Sequence, residues 1–90
     1  MLYITAVHLT DGEAEANITS VRWLNSDEGV SNTSTVAVMV EWLDNGHAAS
    51  VGGPKGPIRV GVVHPKVGAP YLRTHANREW TDNLRQLPRY

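Results

Sequence analysis

Apolar residues in this chain recur with a period of two along most of its length, and that pattern constrains the fold more than any other feature. A side chain that must face the core every second residue belongs to an extended strand, whereas a helix needs a period near 3.6. In Leu2–Leu9, Leu2, Ile4, Ala6 and His8 alternate with Tyr3, Thr5, Val7 and Leu9. Both faces are largely apolar, which predicts a central strand with His8 in or beside the core. In Ile18–Leu24, Val21 and Trp23 share one face and Ser20 and Arg22 the other. Thr35–Leu43 carries the clearest alternation, with Val36, Val38, Val40 and Trp42 on one side. Asp44-Asn45-Gly46 follows it directly, and Asn-Gly favours the positive φ angles of a tight hairpin. His47–Val51 is therefore expected to return antiparallel to 35–43. Ile58–His64 and Tyr71–Thr74 are further extended segments. Loops are expected at 11–17, 25–34, 52–57 and 65–70, where turn residues gather. The one helical candidate is 81–87, with Thr81 or Asp82 as its cap, Leu84 and Leu87 on one side and Pro88 as its stop.

The expected fold is mostly β. It is a small antiparallel barrel or a strongly twisted sheet of five to six strands, with at most one short C-terminal helix. Ninety residues form a single domain, 1–90, with a small core. The chain has no cysteine, which removes disulfides, thiolate metal sites and a cysteine nucleophile from consideration. No apolar run reaches the length of a membrane span, and Met1–Thr5 does not read as a secretory leader, so a cytoplasmic protein is expected.

The formal charge of −1 conceals a division. Residues 1–50 hold Arg22 against Asp11, Glu13, Glu15, Asp27, Glu28, Glu41 and Asp44, a net of −6. Residues 51–90 hold Lys55, Arg59, Lys66, Arg73, Arg78, Arg85 and Arg89 against Glu79 and Asp82, a net of +5. Two readings are open. Either the halves pair with each other across the sheet, or the basic half offers a face to an anion.

Catalytic signatures are missing from the pattern. The histidines at 8, 47, 64 and 75 show no i, i+2 or i, i+4 pair for a metal, and no Gly-x-Ser-x-Gly elbow is present. Gly52–Pro57 places Lys55 in a glycine-rich loop, but Gly56 and Pro57 follow where a phosphate loop requires Ser or Thr and a helix. No catalytic residue, metal or cofactor is expected. Trp23 and Trp42 align with apolar strand faces and read as core. The remaining aromatic and basic group is Arg73, Arg78, Trp80, Arg85, Arg89 and Tyr90. Arginine forks bind phosphate oxygens and an aromatic ring stacks on a base. With Lys55, these residues form the candidate ligand site.

Three stretches resemble one known family. Ile4-Thr5-Ala6-Val7-His8-Leu9 is similar to its opening strand and Ile18-Thr19-Ser20-Val21-Arg22-Trp23 to its second. Tyr71-Leu72-Arg73-Thr74, Trp80-Thr81-Asp82-Asn83-Leu84 and Leu87-Pro88-Arg89-Tyr90 resemble its closing segment. The family is the domain-of-unknown-function 3892 family, small proteins of bacteria and their phages. It usually has an Ala-Asp-Gly-like turn where this chain has Ala76-Asn77-Arg78. The resemblance implies one small domain and names no site.

The expected function is that of a non-enzymatic binding protein, homo-oligomeric, holding a phosphate-bearing small molecule such as a nucleotide-derived signal, as a phage sequestering factor would. Two alternatives stay open: a nucleic-acid binder using the basic half, and an interaction module or inhibitor presenting a strand edge to a host protein.

Overall fold

The computed structural model describes residues 1–52, 56–76, 79–81 and 83–90, with the backbone alone for 76, 79 and 80. Strands β1 (Leu2–Leu9), β2 (Ile18–Asn25) and β3 (Val30–Thr35) form a meander. Helix α1 (Val36–Asp44) then leads to β4 (Ser50–Val51), β5 (Ile58–Val63), β6 (Tyr71–Ala76) and β7 (Glu79–Thr81). Among the described residues these make one seven-stranded sheet in the order β3-β2-β1-β4-β5-β6-β7. The fold is thus mostly β, as the alternation predicts. No pairing among the described residues joins β3 to β7, so the sheet stays open.

Two bulges bend it. The β1–β2 register shifts between Ile4 and Ala6 and again between His8 and Leu9, where Thr19 is the extra residue on β2. An extra residue leaves the ladder locally unpaired and raises the twist. The bulge at Thr5 also reverses the phase of β1. Ile4 and Val7, three residues apart, are therefore both buried at 1% and 0% exposure. This explains why both faces of the segment are apolar, and it corrects the placement of His8, which is exposed on the opposite face. The sheet curls so that α1 touches β2 and β3 on one side and β5 and β6 on the other.

The segment 35–43 is a helix rather than a strand. Its apolar residues satisfy both periods at once. Val36, Met39, Val40 and Leu43 follow the i, i+3, i+4, i+7 spacing of a helical stripe, and these are the residues turned to the core, while Ala37 and Val38 are exposed. Thr35 caps it, its Oγ1 accepting from the Val38 amide at 3.3 Å. Asn45-Gly46 ends the helix instead of turning a hairpin. Gly46 takes φ +96°, and its amide donates to Leu43 O at 3.1 Å. The chain crosses over β2 and β1, so β4 arrives parallel to β1, with Tyr3 opposite Ser50. The antiparallel return expected for 47–51 is thereby corrected. The other strand pairings among the described residues are antiparallel.

The helix expected at 81–87 is a single 3₁₀ turn, Leu84–Gln86, which buries Leu84 completely. A second 3₁₀ turn, Glu15–Asn17, precedes β2 and packs on β6. Beyond β4, the second half of β1 is covered by the tail. Val7 donates to Pro88 O at 2.9 Å and Tyr90 donates to Val7 O at 3.2 Å, a short parallel bridge.

Candidate functional site

Three arginines of the basic half, Arg73, Arg85 and Arg89, meet the acidic half. Glu15 is buried, and its Oε1 lies 3.9 Å from Arg73 Nε and 3.9 Å from Arg85 Nε. Among the described residues that oxygen has no hydrogen-bond partner, so these two guanidinium groups act on it through charge. Arg73 Nε also donates to Thr81 O at 3.0 Å. Arg89 donates through Nη1 to the carbonyls of Arg85 (2.6 Å) and Leu87 (2.7 Å), and its Nη2 donates to Glu13 Oε2 at 3.4 Å. On the other side of the charge division, Asp44 Oδ1 lies 3.5 Å from His64 Nε2.

Tyr90 is placed apart from Arg73 and Arg85. Its hydroxyl donates to Ser20 Oγ at 2.8 Å, its ring lies 4.9 Å beneath Arg22, and its carbonyl meets His8 Nδ1 at 2.6 Å. Trp80 pairs with His75 through the β6–β7 ladder. Lys55 and Arg78 lie outside the described residues. The structure therefore gathers Arg73 and Arg85 on one carboxylate and sets Arg89 against another. Within one chain their guanidinium groups are occupied by Glu15, Glu13 and main-chain carbonyls.

Trp23 and Trp42 are partly buried against the core. Trp23 Nε1 donates to Ser34 Oγ at 3.0 Å, and the Trp42 indole stacks on His47 with centroids 4.6 Å apart. Between them runs a narrow groove of about 260 Å³, lined also by Leu2, Val38 and Met39.

A wider opening lies elsewhere, where α1 begins. It has a volume of about 710 Å³. Ile18, Val36 and Val40 form its apolar floor, and Pro65, Val67 and Pro70 of the β5–β6 loop form its rim. Thr19, Thr35 and Tyr71 supply its polar groups. Among the described residues no Asp, Glu, Lys or Arg lines it. Val67 stands at 91% exposure at the tip of the rim, next to Lys66. Its walls come from three separated segments, 16–19, 35–40 and 65–71, and the second and third read largely as strand and plain turn in the sequence. Nothing local in the sequence marks them as neighbours.

An open mixed sheet curled around one helix, with a cleft at the start of that helix, defines a small, mostly β single-sheet domain. The chain belongs to the family described as protein of unknown function (DUF3892), whose model matches residues 3–88, nearly the whole chain. No curated protein and no solved structure matches it.

Proposed function

We propose that this protein is a non-enzymatic binding domain for a small molecule with an apolar body and one anionic group, seated in the cleft at the start of α1. The cleft itself carries the reading. Its volume of about 710 Å³ falls in the range of small-ligand sites, and its lining is predominantly apolar. The anionic preference is supported by two features. The first turn of α1, through Thr35, Val36 and Ala37, borders the cleft, and a helix N-terminus carries roughly half a positive charge. Lys66 belongs to the loop that forms the rim, between Pro65 and Val67, although it is not one of the lining residues, and among the described residues no carboxylate lines the cleft to oppose an anion. This reading sets the ligand away from the arginine cluster, where Arg73 and Arg85 lie against Glu15 and Arg89 against Glu13.

The probe 1-anilinonaphthalene-8-sulfonate has the required shape and charge. Saturable one-to-one fluorescence enhancement is expected with the native protein. Ala37→Phe, which fills the cleft from an exposed helix position, should abolish it, and Lys66→Glu should weaken it. Enhancement that survives Ala37→Phe unchanged, with native circular dichroism retained, overturns the reading. Titration with aromatic carboxylates and nucleoside monophosphates then narrows the ligand class.

A further inference from the structure

The two edges of the sheet are unlike. β7 is three residues long. β3 is six residues, Val30-Ser31-Asn32-Thr33-Ser34-Thr35, and pairs with β2 in unbroken register from Ser20–Thr35 to Asn25–Val30. It holds no charged residue, no proline and no bulge, the devices that normally keep an exposed edge from pairing. Five of its six residues are exposed, Val30 at 47%. Among the described residues only β2 pairs with it.

We propose that a second copy of this chain adds at the β3 edge, antiparallel and across a two-fold axis, joining the two sheets into one. Symmetry restricts the register. Ser34 lies opposite Val21 and Asn32 opposite Trp23, so Val30, Asn32 and Ser34 face the helix side and Ser31, Thr33 and Thr35 the other. Residues directly opposite in an antiparallel pair share a face, and a two-fold axis normal to the sheet keeps the faces on their own sides. The axis must therefore pass beside Asn32 or Thr33, each opposing itself. The first choice sets Val30 against Ser34, and the second sets Ser31 against Thr35. Neither opposes two charges.

Charge favours this direction. The β2–β3 turn carries Asp27, which also meets the Met1 amine, and Glu28. Antiparallel addition carries that turn past Thr35 of the other copy, beside the positive end of its α1. Parallel addition would set two acidic turns side by side. An isologous β3–β3 contact closes at two copies, whereas β3 on β7 would grow without limit.

Sedimentation from micromolar to millimolar concentration should show a reversible dimer of the 9.9 kDa chain. Ser31→Lys with Thr33→Lys, both exposed, should raise the dimer dissociation constant by at least about tenfold by opposing like charges across the axis. Because the chain has no cysteine, single cysteines report the register. Asn32→Cys or Thr33→Cys should form a disulfide-linked dimer on mild oxidation. Val30→Cys should not, because the two copies of residue 30 then stand at least ~13 Å apart. A monomer at every concentration, growth beyond two copies, equal cross-linking at Val30, or a dimer indifferent to the lysines would each overturn the proposal.

Discussion

Glu15→Gln tests whether the divided charge is an internal structure. The substitution keeps shape and hydrogen-bonding capacity and removes the one charge between Arg73 and Arg85. At 3.9 Å each pair corresponds to about 4 kcal/mol of Coulomb attraction at an effective dielectric constant near 20. That figure is an upper bound. The Arg73 and Arg85 side chains are 34% and 43% exposed, so water screens both, and burying Glu15 forfeits its hydration. The net loss is expected between the ~0–1 kcal/mol of a surface pair and the ~3–5 kcal/mol of a broken buried one, at about 2 kcal/mol. In a domain of this size that lowers the melting temperature by roughly 10 °C. Urea titration of Glu15→Gln, Arg73→Met and the double variant separates the pair from the Arg73–Thr81 hydrogen bond. A coupling near 1 kcal/mol is expected. A coupling below about 0.3 kcal/mol refutes internal pairing at this place. The variant should also be stabilised by sulfate more than the native protein, since two guanidinium groups have lost their carboxylate.

Three further outcomes follow from packing and capping. Leu72→Ala, at a fully buried position opposite Val62, should cost about 2–5 kcal/mol in denaturant titration. Thr35→Ala removes the acceptor for the Val38 amide and should cost ~1 kcal/mol, with Thr35→Ser retaining most of it; thermal melts followed by circular dichroism read the difference. Gly46→Ala forces a side chain into φ +96° with open space around it, so a loss of about 1 kcal/mol or more would be purely conformational and visible in the same melts.

Strands were legible wherever alternation was local. β2, β5 and β6 begin at the residues the pattern indicates, and Val21, on the apolar face read for 18–24, is fully buried. The helix was not legible because Val36-Ala37-Val38-Met39-Val40 fits both periods, and β-branched valines favour the wrong one. The deciding signals were short: Thr35 as a cap and Asn45-Gly46 as a stop, the second of which also fits a hairpin. β3 escaped notice because Ser, Asn and Thr make an edge strand look like a loop. The charge division pointed to a real feature, yet only tertiary contact reveals that Glu15 gathers Arg73 and Arg85. The cleft could not be read at all, since its walls meet only when the sheet curls.

That curl leaves β1 divided between two neighbours, and the division has a measurable consequence. β4 covers the first half through Tyr3–Ser50, and residues 88–90 cover the second through Val7. Beyond two main-chain bonds, the tail is held by the His8 contact to the Tyr90 carbonyl, by Arg89 on Glu13 and by the Tyr90 side chain, the last of which can be removed alone. The Tyr90 hydroxyl bond to Ser20 is worth about 1 kcal/mol, and the contact under Arg22, being exposed, about 0.5–1 kcal/mol. Tyr90→Ala should then favour local opening by roughly 2 kcal/mol and speed exchange of the Val7 amide, which donates to Pro88 O, by about thirtyfold. Amides on the β5–β6 ladder should keep their native rates, because they share no contact with the tail side chain. Arg22→Ala should give a smaller part of the same local effect. Equal acceleration across the whole sheet would mean that the tail supports global stability, and unchanged exchange at Val7 would mean that its edge is held without Tyr90.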